Sequence, residues 1–228
     1  MSGKFYAVGT GTGDPENITL KAVKILERVK YIIVPVRKYG EKSLAFENIR
    51  KVVNTENKKI IEAVFPMDLN IDFNDADEKM IETVSEILEN GEDAAMITVG
   101  DVSVYSTCTY ALKKIKALGF DTEIISGVPS FCVCAASAET SLCERNQTLA
   151  VIPAVSDNTD YEKILEQSDS IVIMKAGKYA PKIYRILEKH NLLLKSYAVS
   201  CAGMDNEYIG KIQKDTVYPY FTTIIIKK

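Results

Sequence analysis

The sequence is nearly without imidazole and wholly without indole: its 228 residues include one histidine, His190, and no tryptophan. One histidine excludes every zinc site that needs two or more imidazoles, and leaves any Ser-His-Asp or Cys-His machinery resting on His190 alone. That residue follows Glu188-Lys189 at the end of a predicted helix, where an imidazole suits the negative end of the helix dipole. Charge of one sign is also missing. Lys plus Arg total 28 against 31 for Asp plus Glu, a net charge of -3, so no basic excess points to nucleic acid or to an anionic membrane. No apolar run approaches the roughly 18 to 20 residues that a membrane-spanning helix needs. The five cysteines, Cys108, Cys132, Cys134, Cys143 and Cys201, are odd in number and form no CxxC pair. Because Met1-Ser2-Gly3-Lys4 runs straight into an apolar strand with no secretory leader, they read as reduced thiols of a cytoplasmic protein. Cys132 and Cys134 read as small helix-packing residues, and no metal site is expected. What remains, with a 46% hydrophobic share, 12 glycines and 7 prolines, is the composition of a soluble folded protein with room for a sizeable core.

Strand and helix patterns alternate from the start. Phe5-Tyr6-Ala7-Val8 is a short apolar run. A glycine loop follows, then Ile18, Ala22, Ile25, Leu26 and Val29 at helical spacing, then Tyr31-Ile32-Ile33-Val34, ended by Pro35. That sequence of elements is a βαβ unit. A helix around Leu44 to Val53 and a strand near Ile60 to Val64 come next, then a helix from about Ala76 to Asn90 stopped by Gly91, as a C′ glycine does. Ala94 to Val99 reads as a strand, Leu112 to Leu118 as a helix, and Glu123-Ile124-Ile125 as a fifth strand. From Gly127 the same grammar restarts, with a helix near Ser130 to Ala138 and another from Pro181 to Lys189. Strands are expected at Thr148 to Val151, Ser170 to Met174, Ser196 to Ser200 and Thr222 to Ile226. The fold class is therefore α/β in two domains, residues 1–126 and 127–228, each of ordinary domain size.

Two loops carry the chemistry. Val8-Gly9-Thr10-Gly11-Thr12-Gly13-Asp14-Pro15-Glu16 joins a strand to a helix, where glycines let backbone approach a ligand and Asp14-Pro15 makes an N-cap and N1 pair. It is an imperfect dinucleotide fingerprint, because Asp14 stands where GxGxxG wants its third glycine and the next strand ends in Val36-Arg37-Lys38 rather than in an acid. Gly100-Asp101-Val102-Ser103-Val104-Tyr105-Ser106 leaves the carboxyl end of another strand, where open α/β sheets place ligands. Two acid-bearing glycine loops suit a ligand with an amino group and hydroxyls better than a polyphosphate. The plainer readings are a structural strand-to-helix turn, and an Asp101 that merely caps the next helix.

Taken in order, Val8-Gly9-x-Gly11-x-Gly13-Asp14-Pro15-Glu16, Gly100-Asp101-x-x-x-Tyr105-Ser106 and Gly127-Val128-Pro129-Ser130 resemble the motifs of the tetrapyrrole (corrin/porphyrin) methyltransferases. Glu41-Lys42-Ser43-Leu44-Ala45, Phe65-Pro66-Met67 and Leu149-Ala150-Val151-Ile152-Pro153-Ala154 look most like the branch acting on C20 of precorrin-2 or cobalt-factor II in cobalamin synthesis. The resemblance implies two α/β domains with the active site in the cleft between them, S-adenosylmethionine as methyl donor, S-adenosylhomocysteine as product, and a homodimer. Carried over by motif, donor contacts fall on Thr12, Val99, Gly100, Asp101, Val104, Pro129, Ser130, Met174, Gly203 and Thr223. Thr12 stands where many members have proline, and Val102 replaces the proline of the usual Gly-Asp-Pro.

The substrate the resemblance implies is a tetrapyrrole with many carboxylate arms, and it needs cationic partners. Arg37, Lys38 and Lys42 follow the second strand, Lys175 and Lys178 follow Met174, and Tyr105 sits in the second loop; a solvated charged surface is the alternative for any one lysine. Asp101, Tyr105 and Tyr6 stand in position to take the meso proton, and none is assigned the role. Rivals are diphthine synthase or a methylase of a different corrin position, an NADP-linked oxidoreductase that uses Arg37 for the 2′-phosphate, and a nucleotide-sensing module without catalysis.

Overall fold

The computed structural model describes residues 2–65, 74–153 and 159–228. Pro66, Met67 and Ala154 of the segments quoted above lie outside the described residues. The chain divides into two compact units, Met1–Pro129 and Ser130–Lys228.

The first unit holds a five-stranded parallel sheet of β1 (Lys4–Gly9), β2 (Tyr31–Val36), β3 (Lys59–Val64), β4 (Ala94–Thr98) and β5 (Asp121–Ile125), in the order β3-β2-β4-β1-β5. The central strands β1 and β4 are covered on both faces, which is why they read as unbroken apolar runs. On one face Phe5, Ala7 and Met96 pack with Val84 and Leu88 of α3 (Asn74–Glu89) and with Ala111 and Ile115 of α4 (Cys108–Ala117). On the other, Tyr6, Val8 and Ile97 pack with Ala22 and Leu26 of α1 (Leu20–Arg28) and with Ala45 and Ile49 of α2 (Leu44–Ile49). Thus β1 and β4 are neighbours, in register from Phe5 with Ala94 to Gly9 with Thr98, yet the chain leaves them for helices on opposite faces. Their carboxyl ends frame the topological switch point of the sheet, the place where α/β folds open a crevice.

Local chemistry sets the helix ends. Thr19 caps α1, its hydroxyl accepting from the Ala22 N–H at 3.3 Å. At the end of α3 the N–H groups of Gly91 and Glu92 donate to the carbonyls of Leu88 and Ile87, at 3.0 and 3.2 Å, in a Schellman closure. Pro35 does not end its strand: β2 continues to Val36. The carbonyls of Lys30 and Val36 point at β3, so in a parallel ladder Pro35 faces the β4 side. Pairing there stops at Ile33, and the missing N–H costs no ladder bond. Cys108 is sealed in α4, and burial pushes its thiol up to about 12.

The second unit departs from the repeat of parallel βα steps that the sequence suggests. It comprises α5 (Ser130–Ser137), β6 (Leu149–Pro153), α6 (Tyr161–Gln167), β7 (Ser170–Met174), α7 (Ala180–Lys189), β8 (Ser196–Ser200), β9 (Tyr208–Gly210) and β10 (Thr222–Lys227). The sheet order is β6-β7-β10-β8-β9. β6 and β7 are parallel, but β10 inserts between β7 and β8 antiparallel to both, and β9 returns antiparallel on β8. Ile171, Ile173, Ala198, Ile224 and Ile226 form the core with Ile183 and Leu187 of α7 and with Tyr161 and Leu165 of α6. His190 is the C-cap of α7, its N–H donating to Ile186 O at 3.2 Å. Of the two cysteines read as helix packing, Cys134 is buried but Cys132 is exposed on α5. Among the described residues no helix is long and apolar enough to cross a membrane.

Candidate functional site

All five strands of the first sheet are parallel, so the loops after β1, β4 and β5 emerge at one edge. They are bonded together there. Gly11 and Gly100 form an antiparallel bridge, with Gly100 N–H donating to Gly11 O at 2.7 Å and Gly11 N–H to Gly100 O at 3.2 Å. Gly127, just past β5, is wedged between the other two loops: a Cβ there would stand 2.1 Å from Gly100 O and 2.8 Å from the carbonyl carbon of Gly9. No side chain fits without moving backbone.

Asp101 closes the arrangement. It is 7% exposed; its Oδ2 accepts the Gly127 N–H at 2.8 Å and its Oδ1 accepts the Ser103 N–H at 2.8 Å. The Ser103 hydroxyl bonds to the same Oδ1. Asp14 likewise turns inward, its Oδ1 accepting the Glu16 N–H at 2.8 Å as cap of a short 3-10 turn, Pro15–Asn17. The acids therefore fasten their own loops and do not form a charged pair held out for an amino ligand. Nor does Asp101 cap α4, whose N-cap is Thr107. A hydroxyl chain supports the floor: Thr10 Oγ1 donates to Thr98 O at 3.0 Å, Ser106 Oγ to Thr98 Oγ1 at 3.1 Å, and Cys108 N–H to Ser106 Oγ at 3.2 Å. Ser103 and Gly127 hold this site together, and neither is among the residues carried over by motif, although Gly127 opens the third motif. The Asp-x-Ser spacing, which an Asx turn requires, is the signal for Ser103.

Thr12 differs from its neighbours. It is 5% exposed, and its hydroxyl has no hydrogen-bond partner among the described residues. An unpaired buried hydroxyl costs about 1–3 kcal/mol, so a polar ligand that pairs with it has something to gain. Val102 buries its side chain on the α3–α4 face, Val99 packs toward the α1–α2 face, and Val104 is half-buried, its N–H on Asp101 O at 3.3 Å. Tyr105 is 49% exposed and holds a left-handed backbone, φ 49°. Arg37, Lys38 and Lys42 are exposed beyond the end of β2, at the same edge of the sheet. Tyr6 lies elsewhere. It is buried on the α1–α2 face and its hydroxyl accepts from Arg28, the last residue of a helix running back to the amino edge, so it leaves the set of proton acceptors.

In the second unit, Met174, Lys175, Gly203 and Thr223 also come to one edge, because antiparallel β10 begins where β7 and β8 end. Ala176 N–H donates to Thr222 O at 2.9 Å and Cys201 N–H to Phe221 O at 2.8 Å. Lys175 and Cys201 both hold left-handed backbones, φ 58° and 52°, a strain that concentrates at functional sites. Gly203 N–H donates to Glu207 Oε1 at 3.1 Å. Burial pushes the Cys134 thiol up to about 11, partly offset by its hydrogen bond with Thr223. Pro129 closes the first unit and Ser130 begins the second.

The sequence profile of the tetrapyrrole (corrin/porphyrin) methylases matches residues 4–214. The chain belongs to that family. Among relatives of this methylase, the probable cobalt-precorrin-2 C(20)-methyltransferase of Methanocaldococcus jannaschii is 33% identical, covering 99% of this chain and 96% of the relative. The cobalt-precorrin-2 C(20)-methyltransferase of Salmonella typhimurium is 32% identical over 100% of this chain and 98% of its own. The fold of the methylase is that of a cobalt precorrin-4 methyltransferase (TM-score 0.76, 18% identity, 98% of this chain and 94% of the other). It is also that of a uroporphyrin-III C-methyltransferase of Thermus thermophilus solved with S-adenosylhomocysteine (TM-score 0.73, 17% identity, 99% and 98%).

Proposed function

We propose that this methylase transfers a methyl group from S-adenosylmethionine to the C20 meso carbon of precorrin-2 or of cobalt-factor II in cobalamin biosynthesis. Two full-length relatives named as cobalt-precorrin-2 C(20)-methyltransferases carry the reading, and the bridged glycine loops at the switch point support it. It works as a homodimer in the cytoplasm, as the family resemblance implies.

The residues present fit the donor. Thr12 offers a buried hydroxyl that lacks a partner among the described residues, and the 99–104 segment is held in place through the Asp101 carboxylate and the Gly100–Gly11 bridge. Thr12, Val99, Gly100, Asp101, Val104, Pro129 and Ser130 in the first unit, with Met174, Gly203 and Thr223 in the second, are the donor contacts; Asp101 acts through its backbone, since its carboxylate is already engaged. When bound, S-adenosylmethionine supplies an electrophilic methyl group on a sulfonium. The task left to the chain is positioning, which does not call for strong acid–base groups. Arg37, Lys38, Lys42 and Lys175 pair with carboxylate arms of the substrate. Tyr6 is withdrawn from the three residues first placed to take the meso proton, and the role is assigned to neither Asp101 nor Tyr105.

Incubation of the purified protein with S-adenosylmethionine and either substrate, followed by mass spectrometry, tests the proposal. One added methyl group supports it; none with either substrate refutes it.

A further inference from the structure

Two aromatic rings stand exposed at the carboxyl edge of the second sheet, immediately before β10 and its Thr223. Tyr220 and Phe221 are 38% and 40% exposed, and their rings pair edge to face with centroids 5.2 Å apart. The Lys175 ammonium lies 5.9 Å from the centre of the Tyr220 ring.

The backbone that carries the rings is fixed on both sides. Tyr218 N–H donates to Gly177 O at 3.1 Å, Cys201 N–H to Phe221 O at 2.8 Å, and the Thr222 hydroxyl reaches back to Pro219 O at 2.7 Å. The close approach requires glycine at 177, where a Cβ would stand 2.1 Å from Pro219 O and 2.3 Å from Tyr218 O. A strap held this firmly, yet presenting a pair of large apolar rings outward, is preorganised for a ligand with a flat apolar face. An edge-to-face pair offers one ring's face while the other buttresses it.

We propose that Tyr220 and Phe221 form the ledge against which the tetrapyrrole macrocycle stacks, with Lys175 beside it to pair with one carboxylate arm. The assignment rests on the tetrapyrrole reading of the site. It matches both halves of that chemistry, a planar conjugated ring and a rim of negative charge. The ledge also joins the edge that carries Met174, Gly203 and Thr223: Phe221 O holds Cys201, and Tyr220 sits by Lys175.

Tyr220→Ala, Phe221→Ala and the double variant test the ledge in the full-length protein. Binding of uroporphyrin III, a stable octacarboxylate tetrapyrrole, is followed by absorbance. Binding of S-adenosylhomocysteine is followed by calorimetry, and methylation of cobalt-factor II is resolved into KM and kcat. Each removed ring is expected to weaken tetrapyrrole binding and raise its KM by about two- to tenfold, with S-adenosylhomocysteine affinity and kcat unchanged and Tyr220→Phe close to wild type. Unchanged tetrapyrrole affinity overturns the proposal. So does a loss of S-adenosylhomocysteine affinity, which makes the pair a donor contact, or a change of oligomeric state on sedimentation, which makes it an interface between copies. If the wild type binds uroporphyrin through these rings but methylates neither C20 substrate, the C20 reading fails and the ledge stands.

Discussion

Asp101 and Gly127 are joined by a hydrogen bond of 2.8 Å from the glycine N–H to Oδ2 of the acid. With the second oxygen committed to Ser103, the carboxylate links the loop after β4 to the loop after β5 and serves as an acceptor on both sides. Asparagine has one acceptor oxygen, and its NH2 group would face an N–H on one side or the other. Asp101→Asn is therefore expected to lose about 1–3 kcal/mol of stability and to weaken S-adenosylhomocysteine binding by an order of magnitude or more, by urea unfolding and calorimetry. Wild-type values in both would show that the latch is not needed.

Gly127→Ala is expected to be more damaging than its size suggests, since the new methyl meets the backbone of Gly100 and Gly9 rather than a side chain that can swing away. Three loops must move apart. A stability loss of about 3 kcal/mol or more falls in the range of severe single substitutions. Differential scanning calorimetry decides, and an unchanged melting temperature would contradict the close packing of the three glycines.

Thr12→Val separates stability from binding. Replacing a buried hydroxyl that has no partner among the described residues by a methyl of the same shape should stabilise the ligand-free protein by about 1 kcal/mol. The same change should weaken S-adenosylhomocysteine binding several-fold if that hydroxyl serves the donor. Opposite signs in thermal melting and calorimetry are the expected signature; a loss of stability would show that the hydroxyl is already satisfied.

Glu123 anchors the edge strand β5. Its carboxylate, 2.7 Å from the Lys21 ammonium and 2.8 Å from that of Lys4, is held down to about 2 by those two hydrogen bonds. A depressed carboxylate stabilises the fold above its unfolded pKa, near 4.5, and the contribution is lost as pH falls from there toward about 2. The carboxylate is half-buried but its lysine partners reach into solvent, so Glu123→Gln is expected to cost no more than about 1 kcal/mol at neutral pH. The gap between wild type and variant in urea midpoints should close across that acid window and shrink in high salt. A gap that persists at the acid end would exclude the ion pairs as its cause.

Much of the first unit was legible because burial on both faces writes β1 and β4 as continuous apolar runs, and because glycines mark the loops between them. Pro35 misled, since a proline stops a strand only where its N–H would face a partner. α6 went unseen because Tyr161 and Leu165 are its only buried residues amid charged ones, and β9, with three residues, is too short to show a period. The antiparallel insertion of β10 between β7 and β8 has no local signature, because alternation along a strand says nothing of its neighbours. At the candidate site, the motifs mark the loops that the Gly11–Gly100 bridge and Gly127 bring together, but not the direction of the acids. Whether Asp101 reaches out to a ligand or back to Gly127 depends on a partner 26 positions away. The Tyr220-Phe221 pair was silent for a similar reason, since aromatics before a strand read as core until the strap around Gly177 turns them outward.

The position of the new methyl group tests the proposed activity most directly. Cobalt-factor II carrying deuterium at the C20 meso position is incubated with the protein and with S-adenosylmethionine labelled with carbon-13 in its methyl group, and the product is examined by NMR and mass spectrometry. The predicted product bears the labelled methyl on C20 and has lost the deuterium. A methyl group on any other carbon, or a C20 that keeps its deuterium, would contradict the assignment.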